Sequence, residues 1–273
     1  MYVRFAAVFA LVSLSAAASF VPAQAVQDDR PITKTKVTPT PTPPKVDPKN
    51  FTADQVAEVT VLAYGIRDRL NQVRKTTQEV GTTSYTGADG KTAQAKYQRF
   101  VLRGDTLGNE KIRLDQQFTN ARYSLLYNAG SVIGVYDNNV FTPREDVAKA
   151  FEYQIVHGLE ALLRYKENGS TLALASRDKV MGVDYVIIDL TDKEQRKTRF
   201  YISAKTYRVM MLEYEEAGVH YKRKFYDYNY AQGTLVPYRT VLWADNKQVE
   251  ESEIGTVTFG QKVDESMFKV SNG

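Results

Sequence analysis

Three strand patterns joined by two tight turns occupy residues 219–259, which have the sequence VHYKRKFYDYNYAQGTLVPYRTVLWADNKQVEESEIGTVTF. The segment is rich in Val, Thr, Tyr and Phe, which favour strands. The connections at 231–233 and 244–246 contain the small and polar residues typical of two-residue hairpins. We therefore predict consecutive antiparallel strands at Val219–Tyr230, Leu235–Ala244 and Val249–Phe259.

The same pattern continues toward the N-terminus. It predicts four further strands at Leu172–Val180, Asp184–Leu190, Thr198–Ile202 and Tyr207–Tyr214. Turn residues separate four more strand patterns upstream, at Tyr97–Arg103, Lys111–Phe118, Tyr123–Tyr127 and Val132–Tyr136. Because a twisted open sheet of this width rarely stays flat, we expect the sheet to curl.

Two helical patterns accompany the strands. Thr52-Ala53-Asp54-Gln55 is a capping box, which marks a helix start. An apolar stripe at spacings of three and four then follows through Val56, Val59, Leu62, Ile66, Leu70 and Val73. A second helix is predicted over Arg144–Tyr165, ended by Asn168-Gly169. The fold is therefore predicted to be mainly β, an α+β fold with two helices that can cover one face of the sheet.

The N-terminus has the pattern of a secretory signal peptide. Arg4 supplies the positive region, Phe5 to Leu14 supply the apolar run, and Ala23-Gln24-Ala25 is a small-x-small cleavage site. The apolar run is shorter than the roughly 20 residues of a spanning helix, so an uncleaved anchor is the weaker alternative. We predict a signal peptide over residues 1–25, cleavage after Ala25 and export to the periplasm.

Residues 26–50 are rich in Pro, Thr and Lys and contain TPTPTPP at 38–44. Such a segment has few apolar side chains to bury, which predicts a disordered linker. A ligand for a proline-recognition domain is the alternative. The folded domain is then predicted over residues 51–273, as a single domain and a monomer.

Composition and motifs argue against several functional classes. The chain has no Cys, so a lipoprotein cysteine, a disulfide and a thiolate site are excluded. The net charge of +4 is modest and the basic residues are interspersed with acids rather than clustered, which gives nucleic-acid binding little support. His157 and His220 lack the spacing of a metal pair, and no nucleophile elbow, phosphate loop or dinucleotide motif is present. We therefore predict a binding protein without a catalytic residue, metal or cofactor.

Several short motifs, in their order along the chain, resemble the LolA-like proteins, a family of periplasmic outer-membrane lipoprotein-sorting proteins. The motifs are RLNQV at 69–73, FVLR at 100–103, SLLYN at 124–128, VYD at 135–137, YDY at 226–228, VPY at 236–238, GTV at 255–257 and DESMF at 264–268. The resemblance covers about Phe51 to Val270. It implies an unclosed β-barrel whose concave apolar face, covered by helices, binds acyl chains of lipoproteins or other lipids.

The resemblance also implies transfer of this cargo to the outer membrane, with partner proteins at the inner and outer membranes. In that family an arginine within an aromatic-Val-x-Arg stretch is linked to handing cargo onward, and Arg103 has the matching position. Gly104 follows it, where the family often has proline. Alternation along a strand places Tyr97, Arg99, Val101 and Arg103 on one face. A surface arginine at a strand end is the alternative.

The residues predicted to line the acyl cavity are mostly apolar and fall at alternating strand positions that can coat one concave surface. They are Val101, Arg103, Ile112, Leu114, Leu126, Val135, Val209, Met211, Val241 and Trp243. Ordinary core packing is the alternative for each apolar residue, because protein interiors use the same side chains.

Three other functional hypotheses remain open at this stage. One is an envelope-stress sensor or regulatory interaction module of the same fold that binds lipoproteins or glycolipids. Another is an exported hydrolase. Finally, Tyr226, Tyr228 and Tyr230 share a predicted strand face with Lys222 and Lys224, which could bind a carbohydrate, an anionic head group or a protein. Cross-strand packing on the convex face is the alternative.

Overall fold

A long antiparallel sheet dominates the structure. The computed structural model describes residues 50–137, 139–180 and 182–269, which belong to one unit, Val46–Gly273. The strands are β1 Thr76–Thr86, β2 Thr92–Leu102, β3 Lys111–Gln117, β4 Arg122–Asn128, β5 Ser131–Tyr136, β6 Asn139–Phe141, β7 Thr171–Val180, β8 Val183–Thr191, β9 Lys197–Ser203, β10 Val209–Glu216, β11 Val219–Ala231, β12 Thr234–Ala244 and β13 Lys247–Phe259.

The thirteen described strands are ordered β6-β5-β4-β3-β2-β1-β13-β12-β11-β10-β9-β8-β7. Strands β1 to β6 form one meander, β7 to β13 form a second, and the pairing of β1 with β13 joins the two. Strands β6 and β7 are the two edges of the sheet and do not pair with each other. The sheet is therefore an unclosed barrel, which confirms the predicted fold class.

Five short helices in the described ranges accompany the sheet. They are α1 Ala53–Tyr64, α2 Arg67–Val73, α3 Glu145–Val156, α4 Leu159–Leu163 and α5 Tyr165–Asn168, with 3-10 turns at Leu107–Asn109 and Glu265–Phe268. Buried side chains of α1, α3 and α4 form one hydrophobic core with the concave face of the sheet. None of the described helices is long and apolar enough to cross a membrane.

The first helix begins as predicted. The Thr52 hydroxyl accepts the Gln55 N–H at 3.3 Å, and the Gln55 side chain accepts the Thr52 N–H at 2.8 Å, which completes the capping box. The helix ends at Tyr64 because Gly65 (φ 138°) and Ile66 (φ 66°) leave the helical region. The predicted helix is therefore two helices, α1 and α2.

The break changes which residues α1 buries. Val56, Ala57, Val61 and Tyr64 are buried. Leu62 and Ile66, by contrast, are 58% and 55% exposed. The predicted apolar stripe is therefore wrong at Leu62 and Ile66, because α1 buries Val61 and Tyr64 instead and Ile66 lies beyond the end of the helix.

The second predicted helix is also interrupted. His157 and Gly158 separate α3 from α4, and Gly158 has extended backbone (ψ 175°). A Cβ at Gly158 would lie 2.5 Å from the carbonyl oxygen of Gln154, so this close approach requires glycine. Gly169, in the left-handed region, ends α5 as predicted.

The predicted hairpin connections are confirmed. Asp245 and Asn246 both have positive φ, as do Gln232 and Gly233, which is the backbone of a type I′ turn. Two strands, β1 and β6, were not predicted. The predicted signal peptide and most of the predicted linker lie outside the described residues.

Candidate ligand-binding cavities

An apolar cavity of about 440 Å³ lies between α3 and the concave face of the sheet. Its helical wall contains Val147, Ala150 and Phe151, which are three and four residues apart and so share the face of α3 toward the sheet. Its other walls include Leu114, Tyr123, Leu125, Leu242 and Val249 on strands and Phe118 just after β3. Phe118 stacks on Tyr123 with ring centroids 5.8 Å apart, so aromatic faces form part of the wall.

A second cavity of about 220 Å³ adjoins the first and extends under α4. The two cavities share Tyr85, Leu114, Gln154 and Glu250 as lining residues. At the boundary, the Gln154 side chain donates to Glu250 at 2.9 Å. The two cavities are therefore neighbours on either side of this hydrogen bond. We call the first the apolar cavity and the second the inner cavity.

The inner cavity is lined by charged side chains. Four glutamates and two arginines contribute to its lining, namely Glu79, Glu110, Glu160, Glu250, Arg99 and Arg223. Arg223 lies 3.3 Å from Glu250. The Tyr97 hydroxyl donates to Glu79 at 2.5 Å. Burial, together with the charge of Glu79, raises the pKa of Tyr97 far above its usual range, so the phenol remains a donor at neutral pH.

Glu160 on α4 is the centre of an ion-pair network. Its two carboxylate oxygens accept hydrogen bonds from Arg74 and Arg103, each at 2.6 Å. Burial acts to raise the pKa of Glu160, but the two arginines outweigh it and lower the pKa to about 2. The carboxylate is therefore ionised at neutral pH and fastens α4 to β2 and to the end of α2.

A second buried pair lies beside this network. Arg164 forms an ion pair with Glu110, and both side chains are about 5% exposed or less. Arg164 also donates to the carbonyl oxygens of Gly104 and Asp105 at 2.6 and 3.1 Å. Burial raises the pKa of Glu110 to about 7 despite the opposing effect of Arg164. The loop after β2 is thereby held against the end of α4.

The structure corrects the interpretation of Arg103 as a surface arginine at a strand end. Its side chain is 10% exposed and its guanidinium group pairs with Glu160. It lines neither described cavity. The structure also explains why position 104 is a glycine, because a Cβ there would lie 2.3 Å from the carbonyl oxygen of Asn109. Whether Arg103 acts in cargo transfer stays a prediction.

The ten predicted lining residues do not lie on one face. Val101, Ile112, Leu114 and Val209 belong to the concave core, and among the ten only Leu114 lines the described cavities.

The other five apolar residues of the ten alternate with residues of the concave face and so point away from it. Leu126 lies between Leu125 and Tyr127 of the core, and Met211 precedes Leu212 of the core. Val241 and Trp243 flank the cavity residue Leu242. Val135 lies opposite Ser124, which is in phase with Leu126. On these strands the sequence pattern separates two faces but does not tell which of them is concave.

Cavity residues on α3 and most charged residues of the inner cavity were not predicted. The helical spacing of Val147 and Phe151 was visible in the sequence, but nothing distinguished a cavity wall from a core.

The three tyrosines on β11 do not form a common exposed strip. The Tyr228 hydroxyl lies 2.8 Å from that of Tyr64 on α1. In the described ranges, no group of His, Asp or Glu is arranged to hold a metal ion.

Comparison with known proteins identifies the fold. No family model matches this sequence, and no curated protein matches it. The crystal structure of a DUF1329 family protein from Desulfovibrio piger aligns with a TM-score of 0.55 and 10% identity, covering 80% of this chain and 98% of that chain. A LolA superfamily protein from Nitrosomonas europaea aligns with a TM-score of 0.54 and 12% identity, covering 80% and 98%. The chain therefore has the LolA-like fold.

Proposed function

Because the chain has the LolA-like fold, we propose that it is a periplasmic carrier that binds acyl chains of lipoproteins or other lipids for transfer to the outer membrane. It acts by binding and catalyses no reaction. The observation that carries this proposal is the apolar cavity between α3 and the sheet.

The size and the walls of the apolar cavity suit an acyl chain. Its volume of about 440 Å³ lies within the range of small-molecule binding sites. Each methylene group transferred from water to such walls contributes about 0.8 kcal/mol. Aliphatic and aromatic side chains offer no specific hydrogen bonds along most of the wall, so chains of different length and saturation are accepted.

One side of α3 packs into the core, and its other side borders the opening of the apolar cavity. Phe151 and Ile155 are each 3% exposed and fix α3 to the core. Ala150 is exposed although it lines the cavity, so it marks the mouth. A ligand can therefore enter and leave beside Ala150 without unfolding of the core, which a carrier requires.

The substitution Ala150→Trp tests this proposal, because an indole at the mouth would occupy the space of the acyl chain. We expect the affinity for a fluorescent fatty-acid probe to fall about tenfold or more, the equivalent of two lost methylene contacts, at an unchanged melting temperature. Lys149→Trp is the control, since Lys149 is the preceding residue on α3, 51% exposed, and lies outside the cavity lining. Equal probe affinity for wild type and Ala150→Trp would contradict the proposal.

A further inference from the structure

We propose that the inner cavity binds the anionic head of a single-chain amphiphile, such as a fatty acid, with Arg99 as the cation that receives it. This inference rests on the proposed function, since the tail would lie in the adjoining apolar cavity. The ligand would therefore bind with its head inward.

The charges around the inner cavity do not balance. Among the described residues that line it and their ion-paired partners, the acids are Glu79, Glu110, Glu160 and Glu250, and the bases are Arg74, Arg99, Arg103, Arg164 and Arg223. At pH 8, above the pKa of Glu110, four negative charges thus face five positive charges. One monoanionic head group would neutralise the difference.

Of the two arginines that line the inner cavity, Arg223 is paired with Glu250, and Arg99 is the one whose side chain forms no ion pair in the described ranges. Each of the four glutamates already has a partner. Glu79 accepts from Tyr97 and Glu110 pairs with Arg164. Glu160 pairs with both Arg74 and Arg103, and Glu250 pairs with Arg223. Glu79 lies opposite Arg99 on β1 but accepts from Tyr97, and the side chain of Arg99 has no hydrogen bond or ion pair among the described residues. Its Nε is buried without an acceptor. A buried donor without a partner is unfavourable, so an oxyanion beside Arg99 would stabilise the site.

A second guanidinium group near Arg99 adds another donor to the inner cavity. Arg223 also has a buried nitrogen, Nη2, without an acceptor, and it lines the same cavity as Arg99. A guanidinium group offers a planar fork that matches the two oxygens of a carboxylate or of a phosphate. The volume of about 220 Å³ suits a small head rather than a large sugar head group.

The test compares two probes with the same tail, palmitate and 1-hexadecanol, binding to the full chain at pH 8. For wild type we expect palmitate to bind about tenfold to a hundredfold more tightly, as a hydrogen bond to a charged group would give. Arg99→Gln should lose this preference and keep its affinity for 1-hexadecanol. Because Arg99 pairs with no carboxylate, the variant leaves none unpaired and should fold.

Two further variants serve as controls. Arg122→Gln removes the same charge from an exposed position on β4 and should keep the preference for palmitate. Arg99→Lys keeps the charge and should retain most of the preference, which separates charge from packing. Acetate, the head without a tail, should compete with palmitate only at high concentration.

The outcomes separate this inference from the proposed function. If wild type binds both probes equally, or if Arg99→Gln weakens both to the same degree, the head-inward site is wrong while the acyl cavity stands. If neither probe binds to wild type, the carrier proposal fails and this inference fails with it. Competition by acetate as strong as that by palmitate would show a site for free small anions and overturn the amphiphile assignment.

Discussion

Replacing Glu160 by glutamine tests whether the ion-pair network holds α4 on the sheet. The side chains of its two partners, Arg74 and Arg103, are only 7% and 10% exposed. Glutamine has nearly the same shape as glutamate but lacks the charge that both arginines pair with. Breaking a buried pair by removing one partner typically costs about 3 to 5 kcal/mol.

The lowered pKa of Glu160 gives a second, independent value for the stabilisation that its charge provides. The change from the ordinary 4.5 to about 2 corresponds to about 3 kcal/mol in favour of the ionised carboxylate in the folded state. The side chain is 31% exposed, so solvent screens part of this interaction. We therefore expect Glu160→Gln to lower the free energy of unfolding by about 2 to 3 kcal/mol, or the melting temperature by about 5 to 10 °C.

Urea unfolding followed by far-UV circular dichroism measures this change. Glu215→Gln is the control, since Glu215 is exposed on β10 and has no ion pair among the described residues. Because the folded-state pKa of Glu160 is lowered, its stabilisation is complete above about pH 4.5 and is lost as the pH falls toward 2. The difference between wild type and variant should therefore shrink between about pH 5 and 3. Equal unfolding midpoints at pH 7, or a difference that does not change with pH, would refute the reasoning.

Two other predictions concern the corrected parts of the sequence analysis. Leu125→Ala and Leu126→Ala should each lower the free energy of unfolding by about 2 to 5 kcal/mol, since both leucines are buried. Only Leu125→Ala should also change the affinity for a fluorescent fatty-acid probe, because Leu125 lines the apolar cavity; an equal effect of both would mean that the faces are wrongly assigned. Ile66→Gly should raise the free energy of unfolding by about 1 kcal/mol, because a β-branched residue at φ 66° is strained and this side chain is 55% exposed. A less stable variant in the same urea titration would show that the exposed isoleucine makes contacts worth more than the strain.

The sequence was sufficient to predict the second meander because its strands carry strong signals. β8 to β13 are rich in β-branched and aromatic residues, and their turns need the positive φ that residues such as Gly233 and Asn246 adopt readily. β1 was missed, since its sequence TTQEVGTTSYT is mostly polar. It is nevertheless central, and its polar side chains find partners across the sheet, as Thr83 does with Ser252 at 2.9 Å.

The lining of the cavities was harder to predict than the fold. Alternation assigns residues to two faces but does not tell which face the helices cover, and both faces of β4 bury leucines. Leu126 is 2% exposed although it faces away from α3. Near it, Arg113 donates to the Met267 carbonyl of the last 3-10 turn. The ion-pair network could not be predicted for another reason. Arg103 and Glu160 are 57 residues apart in the chain, so no local sequence pattern links them.

The pairing of β1 with β13 has a consequence for the order in which the protein can assemble during synthesis. Thr83 and Ser252, which face each other across this pair, are 169 residues apart. Each meander can form from contacts between neighbouring strands as the chain lengthens, whereas β1 has to wait for the last strand before its second edge is paired. Until then β1 exposes unpaired N–H and C=O groups, the kind of edge at which chains aggregate. The many polar side chains of β1, which hid the strand from sequence analysis, protect the nascent chain during this interval.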